Sequence, residues 1–154
     1  LYEGPRMIKP PIVQIAGMLR ARGTGIDTES WTWISETAGQ RLFQPPNVSG
    51  WDDDRWLGTA RLSGRWDAAG QSTDADAVDE ERYDPKETVA QALERALDFW
   101  GRPPLSAQTR AELERFAHSV EKIATDDWQK GTYRALRQNA LRMLIVSSPD
   151  YQTC

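Results

Sequence analysis

Nowhere in this chain do apolar and polar residues alternate for long enough to build a half-buried strand. Apolar residues recur instead at three- and four-residue spacing in one segment after another. That periodicity confines the fold to helices, which must bury their apolar stripes against one another. The clearest stripe is Val89, Leu93, Ala96, Leu97 and Trp100. Ahead of it, Asp84 is expected to cap the helix, Pro85 to take its first position and Glu87 to reach back as a capping-box partner. Gly101 ends the stripe, and Pro103-Pro104 forbid its continuation.

The same logic reads the other segments. Pro11 suits the first position of a helix carrying Ile12, Ile15, Ala16 and Leu19, closed by Arg20, Arg22 and Gly23. Asp27 or Thr28 can cap a second helix to about Ala38, with Trp31, Ile34 and Ala38 on one face and Gly39 at its end. Trp56 to Ala69 reads as a third helix with Leu57, Ala60, Leu62 and Trp66 as its apolar members. Ser106 starts another, striped by Leu113, Phe116, Ala117 and Val120. Thr125-Asp126-Asp127 opens the last, where acids favour the helix dipole. Tyr133, Leu136, Ala140, Met143 and Leu144 line that helix, Arg134, Arg137 and Arg142 lie among them, and Ser148-Pro149 stops it.

Between these helices, Gly70 to Tyr83 is polar and acidic. Such a stretch buries too little surface to offset its ordering entropy, so a mobile loop is expected. The predicted architecture is therefore all-α, an irregular bundle of about five to six helices in one domain. Residues 1–69 supply the N-terminal helices and a Pro/Gly/Trp loop, 70–83 the acidic loop and 84–154 a C-terminal helical segment.

Charge and composition narrow the functional classes. A formal net charge of −4 and a pI near 5.1 argue against nucleic acid as a partner, since phosphates call for a basic surface. The longest apolar run, Met143 to Val146, falls far short of the ~20 residues that span a bilayer. The single cysteine, Cys154, excludes a disulfide within the chain and a cysteine metal cage. The chain opens on Leu1 rather than Met and is read as part of a longer protein.

No catalytic constellation stands out. His118 neighbours Glu114 and Glu121 at helical spacing, but no nucleophile motif and no second histidine accompany it. Arg20-Ala21-Arg22-Gly23-Thr24-Gly25 lacks the strand–loop–helix setting of a phosphate loop, and Asn47-Val48-Ser49 matches a glycosylation sequon. Asp52, Asp53 and Asp54 invite a metal reading, yet adjacent side chains diverge. Capping of the helix near Trp56, with Asp54 at the cap, is the better reading. No catalytic residue, cofactor or metal is expected. Seven tryptophans are unusual, and Trp31, Trp51, Trp56 and Trp66 can form one cluster, packed inside or presented as a stacking surface.

The most unusual string is Leu42-Phe43-Gln44-Pro45-Pro46-Asn47-Val48-Ser49-Gly50-Trp51. It is followed by Trp56-Leu57-Gly58-Thr59 and Leu62-x-x-Arg65. It reads as a structural latch. Leu42 and Phe43 anchor its start, Pro45-Pro46 stiffen it, Gly50 permits the turn that aims Trp51 inward, and Trp56 and Leu57 are buried. The same string, with Lys9-Pro10-Pro11-Ile12-Val13 before it and Leu144 to Gln152 after it, resembles a bacterial family named domain of unknown function 1800. The resemblance covers most of the chain, as the C-terminal part of a longer protein. Asp52-Asp53-Asp54 depart from the family's usual Pro and Gly. The resemblance implies a mainly helical protein, often exported, whose genes often lie beside those of a sulfatase-like family. It implies no activity.

The expected function is thus a non-catalytic scaffold or protein-partner-binding module of an exported or envelope-associated assembly, with Trp51, Trp56 and Asn47 as candidate surface and the oligomeric state open. The alternative is part of an enzyme or carbohydrate-binding protein whose catalytic groups lie in an N-terminal region outside this chain.

Overall fold

A computed structural model describes residues 7–22, 28–41, 43–51, 56, 58–74, 76–79, 83 and 86–153. Its helices are α1 (Pro11–Arg22), α2 (Thr28–Thr37), α3 (Thr59–Asp74), α4 (Val89–Phe99), α5 (Ala107–Ile123), α6 (Asp127–Ser147) and α7 (Pro149–Gln152). The fold is all-α. Among the described residues, β-type pairing is limited to isolated bridges between Ile8 and Thr153 and between Asn47 and Gly50. None of the described helices is long and apolar enough to cross a membrane.

The central element is α6, which packs against α3, α4, α5 and α7, while α1 and α2 reach the bundle through α3. The core gathers Ile15 and Met18, Ile34 and Ala38, Leu93 and Leu97, Trp100, Leu141 and Ile145. Trp100 closes it from α4: its ring packs edge-on against Phe99, and its indole Nε1 donates to the Arg142 carbonyl at 2.8 Å. A buried tryptophan needs such a partner for its single polar atom.

Helix ends follow local chemistry. Thr88 caps α4, and Gln91 reciprocates by accepting from the Thr88 N–H at 2.9 Å. This corrects the expected box. Glu87 lies one residue before the cap and is drawn into the core instead, while Asp84 and Pro85 lie outside the described residues. The α4 C-terminus unwinds through Gly101 and Arg102, both left-handed, and the Arg102 N–H donates to the Leu97 carbonyl at 2.8 Å. Ser106 caps α5 as expected. At α6, Gln129 accepts from the N–H groups of Thr125 and Asp126 at 3.0 and 3.1 Å. Of the expected loop at Gly23 to Gly25 and the expected caps Asp27 and Asp54, all lie outside the described residues.

Three expectations are corrected. First, α3 starts at Thr59 and runs to Asp74, so the loop boundary at Gly70 falls inside a helix. Ser72 and Thr73 are buried, and the Thr73 hydroxyl returns to the Ala69 and Gly70 carbonyls. Beyond it, Asn139 grips Val78 through both N–H and carbonyl, and Arg142 donates to the Asp76 carbonyl at 2.8 Å.

Second, the buried face of α3 is Gly64, Arg65, Ala68, Ala69, Ser72 and Thr73, whereas Ala60, Leu62 and Trp66 face outward. Small residues win the inner face because α2 crosses so closely. A Cβ on Gly64 would lie 2.5 Å from the carbonyl carbon and oxygen of Thr37. Third, α6 buries Ala135, Arg137, Gln138, Leu141, Arg142, Ile145 and Val146, while the expected stripe residue Leu136 is exposed. Its inner face is polar in the middle because it meets charged groups there.

The α2–α3 crossing makes one clear prediction. Gly64→Ala forces the helices apart and is expected to destabilise the fold by ~1–3 kcal/mol. Urea unfolding measures it, with Gly70→Ala as the control, where the added Cβ meets nothing and helix propensity predicts a gain of about 0.5–1 kcal/mol.

Candidate functional site

The loop from Phe43 to Trp51 is exposed along most of its length. Phe43 is 87% exposed and Val48 fully so, and Pro45 and Pro46 are exposed with them. The expected anchoring by Phe43 is therefore corrected: its side chain points to solvent, and its backbone is left-handed at φ 60°. For a bulky residue that conformation is strained, and no burial compensates it. Local hydrogen bonds shape the loop. Gln44 N donates to the Arg41 carbonyl at 3.1 Å, Ser49 N to Asn47 Oδ1 at 2.8 Å and Gly50 N to the Asn47 carbonyl at 3.1 Å. Gly50 adopts φ +96°, and an added Cβ would meet nothing, so backbone conformation rather than space demands glycine here.

Asn47 is thus exposed but spends its side-chain oxygen on its own turn. Trp51 is half-buried, and Trp56 is buried at 4% exposure. The candidate surface shrinks accordingly, since buried Trp56 is not presented to solvent. Trp33 and Trp66 are exposed, and the Trp31 side chain lies outside the described residues, so no four-tryptophan cluster is described. Leu42, Asp52, Asp53, Asp54 and Leu57 also lie outside them.

The last residue of the motif, Arg65, joins segments other than the loop. It is 1% exposed and has no carboxylate partner among the described residues. Its guanidinium donates to Gln14 Oε1 on α1, to Gln152 Oε1 on α7 at 3.2 Å and to the Lys9 carbonyl at 2.6 Å. Burial draws its pKa down to about 10, still well above neutral, so it is charged at pH 7. Neutral oxygens stand in for a counter-ion and water at its two terminal nitrogens, while Nε is buried with no acceptor among the described residues.

The C-terminal string completes the assembly. Ser148 ends α6 and caps α7, with Pro149 at the first position. The Asp150 carboxylate accepts from the Ser106 N–H and hydroxyl, both at 2.8 Å, and so ties α7 to the start of α5. Tyr151 lies against Trp100, under the Lys9 ammonium at 4.9 Å from its ring centre. Lys9 donates from Nζ to the Tyr151 carbonyl and from its backbone to the Gln152 carbonyl, at 2.8 and 2.7 Å. Gln40, at the end of α2, accepts from the first turn of α1 at 3.0 Å.

A second buried polar centre was not anticipated. Glu87, 2% exposed, receives Arg137 on Oε2 at 3.2 Å and Arg95 on Oε1 at 3.2 Å, and the Tyr83 hydroxyl also donates to Oε1. Gln138 fits best with its nitrogen donating to the Ala92 carbonyl and Tyr83 Oη, at 3.0 and 3.2 Å, and its oxygen accepting from Ala96 N at 3.1 Å. The available signal was the placement of Arg137 and Arg142 inside an apolar stripe. Removing one partner of such a pair typically costs ~3–5 kcal/mol, because the other charge stays buried.

The remaining sequence candidates stay apart. His118 is exposed on α5, 3.7 Å from Glu121. Among the described residues no group of three or more His, Cys, Asp or Glu is placed to hold a metal. Cys154 lies outside them.

The buried tyrosines give a pH prediction. Burial pushes the Tyr151 hydroxyl up to about 12, and Tyr83 shifts the same way through burial and then the adjacent Glu87. In the unfolded chain a tyrosine ionises near 10. Their stabilising contribution is therefore complete below pH ~10 and is lost as pH rises from there through the folded values. Urea unfolding between pH 9 and 12 is expected to show falling stability, with a shallower fall in Tyr151→Phe.

These observations can be set beside known proteins. The family described as protein of unknown function (DUF1800) matches the chain over residues 2–153. No curated protein and no solved structure matches it.

Proposed function

The chain belongs to the DUF1800 family, and from that premise we propose that it is a non-catalytic, partner-binding helical module. The observation that carries this reading is the loop from Phe43 to Gly50, which presents Phe43 and Val48 to solvent on a hydrogen-bonded turn. Apolar side chains held out on a pre-ordered loop lose little conformational entropy on docking. Strained, exposed loop residues concentrate where proteins bind. Trp56, a few residues after the loop, is buried at 4% exposure, while the loop's own turn is held by the Asn47 hydrogen bonds to Ser49 and Gly50. A setting in an exported or envelope-associated bacterial assembly rests on the sequence resemblance alone.

Val48→Asp and Phe43→Asn test the reading. Both are expected to leave the melting temperature unchanged or slightly raised, since neither side chain is buried and Asn tolerates a left-handed backbone. Affinity recovery from native cells is expected to yield a stable protein partner with the parent chain and to lose it with either variant. Failure to recover any partner, or recovery unaffected by both variants, contradicts the proposal.

A further inference from the structure

The outer side of the α5–α6 pair holds adjoining hollows of different character. One, of about 240 Å³, is walled by Phe116, Val120, Ile123, Leu136 and Ala140, and Ile123 and Leu136 are largely exposed there. The other, of about 160 Å³, is walled by Lys130, Arg134 and Glu121 beside Ala124. Val120, Tyr133 and Arg137 belong to both, so the apolar trough runs directly into a cationic end.

The charges at that end are not all spoken for. Lys130 is paired with Asp127 at 3.1 Å. Glu121, the carboxylate in the lining, lies 3.7 Å from His118, which offsets its charge only when protonated. Arg134 makes no hydrogen bond or ion pair among the described residues. Arg137 is 1% exposed and meets Glu87 through one nitrogen, while its Nε is buried with no acceptor.

We propose that this face binds a small amphiphile with one anionic head, an alkyl carboxylate in the simplest case. The head is held by Arg134, with Arg137 staying buried on Glu87 behind it, and the chain lies along Phe116, Val120, Ile123 and Leu136. The joined hollows fall near the lower end of the roughly 300–1,000 Å³ typical of small-molecule sites, which suits one short chain rather than a docked helix. Charge decides the head group, and the apolar walls decide the tail. The site lies on α5 and α6, apart from the Phe43–Gly50 loop, so it stands or falls independently of the partner-binding reading.

Calorimetric titration of the full chain with octanoate, below its micelle concentration, tests the site against octanol. Octanoate is expected to bind saturably at one per chain and at least about tenfold more tightly than octanol, since a charge-assisted hydrogen bond is worth about that factor. Arg134→Gln is expected to weaken octanoate about tenfold without changing octanol or the melting temperature. Leu136→Asp, at an exposed position, is expected to abolish both. The proposal is overturned if octanoate shows no saturable binding, if octanol equals it, or if either variant binds octanoate like the parent.

Discussion

One buried guanidinium, alongside the Lys9 bonds to Tyr151 and Gln152, fastens the N-terminal part of this protein to its C-terminal end. Arg65 reaches Lys9, Gln14 and Gln152 at once, so α1, α3, α7 and the residues preceding α1 share one donor group. A buried cation with neutral partners is an expensive choice, because desolvation is opposed by oriented dipoles alone. Its geometry is what recommends it. A planar fork of N–H groups can hold oxygens from separate segments in fixed directions, which an apolar side chain cannot do. Small residues around it let α2 approach α3 at Gly64, and Gln40 then caps α1 from the end of α2.

The C-terminal half uses the same device with an anion added. Glu87 collects Arg95, Arg137 and Tyr83 just before α4 begins, while Arg142 and Asn139 hold the stretch after α3 against α6. Polar centres on both halves therefore meet the central helix α6 or its continuation α7. Apolar packing supplies most of the favourable free energy, and the polar centres specify which segments meet. The loop at Phe43 to Gly50 is the contrasting element: Phe43 and Val48 are apolar yet turned outward, on a turn held by its own hydrogen bonds.

How much of this was legible in the sequence depends on what each residue responds to. Helix α4 was readable because Val89, Leu93, Ala96, Leu97 and Trp100 face one core, and periodicity reports that directly. Ser106, Gly50 and Ser148-Pro149 were readable because caps and turns are local chemistry. The inner face of α3 was not, since its buried residues are Gly64, Arg65, Ala68 and Ser72, which carry little hydrophobic signal, while Leu62 and Trp66 drew attention outward. Glu87 was mistaken for a cap partner because its true partner, Arg137, lies far along the chain, and no local rule reports that. Phe43 failed for a related reason: hydrophobicity suggests burial, but not whether a surface exists to bury it.

Arg65 as the common fastening is the claim most worth testing. Native-state hydrogen exchange on Arg65→Met reads it segment by segment. The account predicts that protection falls together in the first turn of α1, in α3 and in the backbone bonds of Gln152 and Thr153, while α4 and α5 retain parent-like protection. Loss confined to α3, with α1 and the C-terminal residues as protected as in the parent, would contradict it.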